Sequence, residues 1–193
     1  MSINLRPLIA SDPNYGSVIN LYKTAFTTVR HVPAWILRLK LRKGRVGFNS
    51  IYDAKNWVGL IDFSQHGNVL FVHFFAIDDS MRSGGYGSRV LGYIKAKYAD
   101  KTIILNVENL DQQASNYAQR IKRRAFYENN GFVASGLAVQ DSSEQMDMLI
   151  YGGHVTKSEV EDIYKSLYKG LWKSLSKPLF KPKVLNLDQS ALT

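Results

Sequence analysis

The sequence predicts an α/β (α+β) fold, a mixed central sheet of about six to seven strands flanked by helices, with a basic helix appended at the C-terminal end. Three observations carry that reading. Two apolar runs, NVLFVHFFAID (68–78) and TIILNVE (102–108), have the length and composition of strands buried on both faces. Each is followed, across a turn, by a stretch whose apolar residues recur at helical spacing. Before them, VGFNSIYD and NWVGLIDF are joined by a short turn from Asp53 to Asn56 and read as an antiparallel hairpin.

In chain order, INLRPL (3–8) is a short opening strand. Ser11 or Asp12 then caps a helix with Pro13 in its first turn, along which Val18, Leu21, Tyr22 and Ala25 form one face. PAWILRLKLRKGR (33–45) fits either a short helix or a strand by pattern and is taken as a helix. Its charges, Arg38, Lys40, Arg42, Lys43 and Arg45, are all basic. The hairpin and the first buried strand follow. Tyr86, Val90, Leu91, Ile94 and Tyr98 then mark a helix ending near Asp100. After TIILNVE, a helix from about Ala114 to Asn130 presents Ala114, Ala118, Ile121 and Ala125, with Gly131 as its stop. FVASGLAV and QMDMLIYG supply two more strands.

From Glu159 the composition changes. Lys165, Lys169, Lys173, Lys177 and Lys181 recur every four residues beside Leu167, Leu171, Trp172 and Leu175. This predicts a basic amphipathic helix to about Pro178 and a flexible tail beyond it, hence a division into a main domain, 1–155, and a basic C-terminal segment, 156–193.

At 193 residues the chain suits one domain with a full core, and 45% hydrophobic and 12% aromatic content is that of a folded protein. It has no cysteine, which removes a disulfide framework, a thiolate metal site and a cysteine nucleophile. His31, His66, His73 and His154 lack close ligand spacing, so no metal is expected. No apolar run reaches the about 18 residues of a membrane span, and MSINLRPL has no apolar signal core, so a cytoplasmic protein without integral membrane association is expected. A net charge of +9 points to an anionic partner, whether nucleic acid, an anionic surface or a phosphate-rich ligand.

The most informative stretch is MRSGGYGS (81–88), between a buried strand and a helix. Glycines let several backbone amides converge, and a helix N-terminus adds partial positive charge, so this junction is an anion site suited to phosphate or pyrophosphate. It is not a P-loop, because no Gly-Lys-Ser/Thr follows. It fits the dinucleotide fingerprint poorly, since Val90 stands where the third glycine belongs. The residues fit RxxGxG, as Arg82, Gly85 and Gly87, with Ser88 next.

That pattern, between strand and helix, resembles the pyrophosphate loop of the GNAT superfamily of acetyl-CoA-dependent N-acetyltransferases. AFYENNGF (125–132) resembles the same family's YxxxGF block, and the likeness covers roughly Ile3 to Tyr151. The resemblance implies a GNAT-like acyl-CoA N-acyltransferase fold. It implies that acetyl-CoA binds with its pantetheine arm against the backbone of Ala76, Ile77 and Asp78. Its pyrophosphate would then be wrapped by Arg82, Ser83, Gly84, Gly85, Tyr86, Gly87 and Ser88, and Arg89 could add a further bond to phosphate. Many members carry an asparagine seven residues before the tyrosine. Here that position is Arg120, in the basic run Arg120, Lys122, Arg123, Arg124, so this helix either meets the cofactor phosphates differently or presents a solvated basic face. Ser83 stands where glycine is common, a difference expected to be tolerated if Ser83 keeps a negative φ.

Acetyl transfer needs an unprotonated amine, a stabilised thioester oxygen and a proton for the departing thiolate. A lysine-type amine has a pKa of ~10.4, so only about one in a thousand is nucleophilic at neutral pH. By the resemblance, Glu108 at the end of the fifth strand serves as base, directly or through water, a backbone amide near Ile77 holds the oxyanion, and Tyr127 protonates the sulfur. The plain alternatives are a tight turn for the loop, a solvated carboxylate for Glu108 and core packing for Tyr127. His73, inside an apolar strand, reads as a satisfied core histidine.

The resulting expectation is an N-acetyltransferase acting on a primary amine of a small molecule or protein by direct attack in a ternary complex. The basic segment from Arg38 to Arg45 makes an acidic acceptor the one to test, and an oligomer is compatible with the chain. A second reading is an acetyl-CoA-binding sensor without turnover. A third has the C-terminal basic helix dock on nucleic acid or an anionic surface; the plain alternative is that its apolar side covers the domain and its lysines are solvated.

Overall fold

A computed structural model describes residues 2–26, 47–140, 144–172 and 182–187. The helix expected from Pro33 to Arg45 and the lysines at 173, 177 and 181 lie outside the described residues. The chain divides into two compact units, Met1–Gln65 with Phe71–Ala99, and His66–Leu70 with Asp100–Thr193.

In the first unit, β1 (Ile3–Pro7) pairs antiparallel with β2 (Phe48–Asp53), and β2 pairs antiparallel with β3 (Asn56–His66). The β2–β3 turn is Ala54–Lys55, closed by the Asp53–Asn56 pair. β4 (Val69–Ile77) lies next in order after β3. Val69 to Val72 are buried on both faces as expected, whereas His73 to Ile77 are only partly buried, with Phe74 and Ala76 packed against the core of the first unit.

Helix α1 (Tyr15–Ala25) buries Val18, Ile19, Leu21 and Tyr22. The Tyr22 ring is the centre of this core, in edge contact with Phe74 at 5.0 Å and Phe48 at 6.0 Å. Each such side chain contributes about 1.5–3 kcal/mol by leaving water. The helix starts after Pro13 rather than around it, and Asn14 at its N-cap makes no side-chain cap bond. Asp12 has other work: it accepts from Asn14 N (2.8 Å), the Tyr52 hydroxyl (3.0 Å) and Ser50 Oγ (3.2 Å), tying the loop to β2. The unit is completed by a short 3-10 turn, Asp79–Met81, and α2 (Tyr86–Lys97), which buries Val90, Leu91 and Ile94.

In the second unit, β5 (Thr102–Glu108) pairs antiparallel with β7 (Gln145–Tyr151), and β7 with β6 (Val133–Gln140). Helix α3 (Tyr117–Asn129) ends at Gly131, whose φ of +81° lets Gly131 N bond to Glu128 O (2.8 Å) and Phe132 N to Tyr127 O (3.1 Å). The carbonyls of the last turn are thus satisfied as the chain reverses into β6.

Two features follow where a basic C-terminal helix and a flexible tail were expected. Helix α4 (Lys157–Trp172) opens on a capping box, Thr156 Oγ1 accepting from Glu159 N (3.3 Å) while Glu159 Oε2 accepts from Thr156 N (2.7 Å). It buries Val160, Ile163 and Tyr164, and Asn106 Nδ2 on β5 donates to the Tyr164 hydroxyl at 2.6 Å. Beyond it, β8 (Lys183–Asn186) pairs antiparallel with β6, in the stretch read as tail. The described residues therefore contain eight strands, not six or seven. A four-residue strand preceded by prolines and lysines has too little alternation to be seen in the sequence.

Candidate active site

β4 ends at Ile77, and Asp78 N donates to Val58 O at 3.0 Å, continuing the contact with β3. β3 comes so close here that a Cβ on Gly59 would overlap the Ala76 carbonyl. The Asp78 carboxylate then accepts from Ser80 N (3.1 Å) and Ser80 Oγ (2.5 Å), which holds the 3-10 turn and sets the direction of entry into the glycine loop. Of the pantetheine-facing residues expected, Ala76 and Ile77 are thus on the half-open end of β4 and Asp78 is a turn-capping residue.

In the loop itself, Arg82, Ser83, Gly84 and Gly85 are exposed. Ser83 has φ +67° and Gly85 φ +68°, so the condition of a negative φ at Ser83 is not met. The loop turns left-handed twice within three residues, and serine carries the steric cost at the first turn. Successive amides in such a path can converge on one anion. Gly85 is the N-cap of α2 and no side chain caps the helix, which leaves the amides of Tyr86, Gly87 and Ser88 directed outward from its first turn. A pyrophosphate fits this geometry.

The nearby cations are arranged differently. Arg82 is mostly exposed and pairs with Asp79 at 2.6 Å, a surface pair that water weakens and an anion can displace. Arg89 is held by the buried Asp53 carboxylate at 3.2 Å and lies over the Tyr86 ring, 4.8 Å from its centroid. Within the first unit Arg89 is therefore an internal fastener of α2 to β2.

The proton-transfer candidates lie in the second unit. Glu108 is 4% exposed and its carboxylate accepts from Arg123 on α3. A solvated strand-end carboxylate, the plain alternative, is not what is found. Tyr127 is buried, its ring in edge contact with Phe126 (5.1 Å) and Phe132 (5.8 Å). Burial pushes its phenol up to about 12, with the Arg123 guanidinium acting in the opposite direction.

Arg120 has partners other than those expected of it. Its Nε donates to Asn116 Oδ1 (2.7 Å), one terminal nitrogen to Asn109 O (3.0 Å), and the other pairs with Glu144 (2.6 Å). The side chain is 10% exposed and all three of its guanidinium nitrogens have partners, so it is not a solvated cation. Arg124 likewise pairs with Asp147 on β7. The basic run on α3 is thus largely neutralised by Glu108, Glu144 and Asp147, acids 15 to 24 positions distant from their partners and invisible as a set in the sequence. His73 is satisfied by Ser64, Oγ to Nε2 at 2.7 Å. Among the described residues no group of three or more His, Asp or Glu side chains could hold a metal, and no helix is long and apolar enough to cross a membrane.

The strand, glycine loop, helix order and the tyrosine ahead of a glycine stop define an acyl-CoA-type transferase domain. The GNAT acetyltransferase family model matches residues 16–132, and the chain belongs to that family. Solved structures agree on the fold. A protein described as a GNAT-family acetyltransferase from Bacteroides thetaiotaomicron is similar at 20% identity over 88% of this chain and 98% of its own, with a TM-score of 0.66. An aminoglycoside 6'-N-acetyltransferase complexed with coenzyme A is similar at 17% identity over 78% of this chain and 96% of its own, TM-score 0.56. The PaiA N-acetyltransferase from Thermoplasma acidophilum, also in complex with coenzyme A, gives 16%, 78%, 100% and 0.52. A search of curated protein sequences found no match.

Proposed function

We propose that this acetyltransferase uses acetyl-CoA to acetylate a primary amine of a small molecule or protein by direct attack in a ternary complex. The observation that carries the reading is the uncapped N-terminus of α2 behind the doubly left-handed loop, Ser83 and Gly85. The loop amides and Arg82 bind the pyrophosphate, with Arg82 exchanging Asp79 for phosphate. The backbone of Ala76 and Ile77, on the partly buried half of β4, pairs with the pantetheine amides, and an amide near Ile77 meets the thioester oxygen. Bound acetyl-CoA supplies an activated acyl group and a leaving thiolate. Glu108 serves as the proton acceptor for the amine, directly or through water, and Tyr127 as the donor to sulfur. Arg120 has no part in this account, because its donors are engaged by Glu144, Asn109 and Asn116.

Calorimetry with acetyl-CoA, desulfo-CoA and free CoA tests the reading. Wild-type protein is expected to bind at micromolar concentrations, and Gly85→Glu, which sets a carboxylate at the loop, to lose binding. No binding by folded wild type overturns it. A panel of amines scored by thiol release then finds the acceptor class, with acidic and neutral acceptors compared across salt concentrations. The Glu108–Arg123 ion pair favours a second reading, in which the protein binds acetyl-CoA without turnover because the base is already engaged. Binding with no thiol release for any amine class supports that one.

A further inference from the structure

Helix α3 carries three arginines in five positions, and each is committed differently: Arg120 to Glu144, Arg124 to Asp147 and Arg123 to Glu108. Arg123 stands four residues before Tyr127 and Arg124 three, both spacings that bring side chains together on a helix surface, and of the two it is Arg123 whose charge acts on the Tyr127 phenol. Arg123 is also the most open of the three, its side chain 39% exposed against 10% and 13%, while its partner Glu108 is 4% exposed.

We infer that Arg123 is a positioning residue for the proton donor: anchored on the buried Glu108 carboxylate, its guanidinium stands beside the Tyr127 phenol and stabilises the phenolate formed as the proton passes to the departing thiolate. The inference rests on the acetyl-transfer reading above. In that step the amine nitrogen bonds to the acetyl carbon and the carbon–sulfur bond breaks. Sulfur leaves with the electron pair and takes the phenolic proton, while the proton released from nitrogen passes to Glu108, directly or through water, and from there by solvent restores the phenol.

The need for such a cation follows from Tyr127's burial. Even with the Arg123 guanidinium acting to lower it, a phenol at about 12 gives up its proton to a cysteine-like thiolate, of pKa near ~8.5, only uphill, and the loss of that cation would make the step harder. A buried phenolate gains from a neighbouring cation held in a fixed orientation, even one partly open to solvent. Glu108 explains why the cation stays. A long arginine side chain would otherwise turn to solvent, and the buried carboxylate gives it one preferred orientation through a charge-assisted bond. On this account the carboxylate matters to the acid at least as much as to the base.

The test places 3,5-difluorotyrosine at position 127 of the full chain and follows its ionisation by fluorine NMR, because this more acidic phenol titrates where the fold persists. Arg123→Gln is expected to raise the midpoint by about one unit, and Arg123→Lys to leave it near the wild-type value. Equal midpoints in wild type and Arg123→Gln overturn the inference. If the glutamine variant does not fold, proton–fluorine cross-relaxation between the Arg123 guanidinium and the ring in otherwise wild-type protein decides: a cross-peak supports the placement and its absence overturns it. Neither readout requires acetyl-CoA. A chain that fails to bind acetyl-CoA therefore overturns the proposed function, whereas equal midpoints in a chain that binds it overturn only the role of Arg123.

Discussion

Arg120 and Glu144 form an ion pair of 2.6 Å with side chains only 10% and 20% exposed, and the same guanidinium holds Asn109 and Asn116. One side chain thereby joins the first turn of α3 to the segment after β5 and to the start of β7. Removing it leaves a mostly buried carboxylate and a carbonyl without their donor. Arg120→Leu is expected to cost about 2–4 kcal/mol, read from urea denaturation midpoints, with acetyl-CoA affinity little changed in the fraction that remains folded. A loss of affinity without a loss of stability would return Arg120 to the cofactor site.

The glycine loop gives two opposite expectations. Gly85 has φ +68° with open space where a Cβ would go, so Gly85→Ala costs backbone strain alone, about 1 kcal/mol. Ser83, at φ +67°, already bears that strain, and Ser83→Gly is expected to stabilise the protein by up to about 1 kcal/mol. Thermal or urea unfolding of the two variants measures both signs.

Tyr127→Phe removes one hydroxyl from a ring held by Phe126 and Phe132. Stability and acetyl-CoA affinity should hold while turnover falls by about 100-fold, the lower end of what a positioned general acid supplies. Thiol-release kinetics beside calorimetry separates the two effects.

Helix α4 is a structural part of the second unit through Val160, Ile163 and Tyr164. Ile163→Ala should cost about 2–4 kcal/mol, and Tyr164→Phe, which strips Asn106 of its partner, about 1–2 kcal/mol. Truncation before 157 should accordingly give insoluble or unfolded protein. A truncated chain that stays folded and loses only binding to anionic surfaces would favour the docking reading of the basic segment.

The capping box of α4 sets an acid-side dependence. Bonds from Thr156 hold the Glu159 carboxyl below its ordinary value, the backbone N–H contributing most, with His154 adding to the same direction. Because the folded-state value is the lower one, the stabilisation is complete above the unfolded carboxylate range and fades as pH falls through it to the folded value. Unfolding midpoints of wild type and Glu159→Gln should differ near neutrality and converge in acid. Curves that stay parallel to acid pH would remove the carboxylate from the explanation.

Local pattern was enough to read the buried halves of β4 and β5, the hairpin before them, the helix faces of α1 and α2, and the loop carrying Arg82, Gly85 and Gly87. Each is written in neighbouring residues, through periods of two or 3.6 and through glycines where the chain must turn. Ser83's positive φ escaped that reading because nothing in a serine announces it, and β8 escaped because it is a strand only by virtue of β6. The basic run on α3 shows the same limit in electrostatic form. Its cations are adjacent in the chain and their acids are not, so whether Arg120, Arg123 and Arg124 face solvent, phosphate or carboxylates depended on which strands folding brought beneath them. Chain order carries backbone preference and periodicity. Charge partners, burial and the proton affinities they set come from contacts between residues far apart in it.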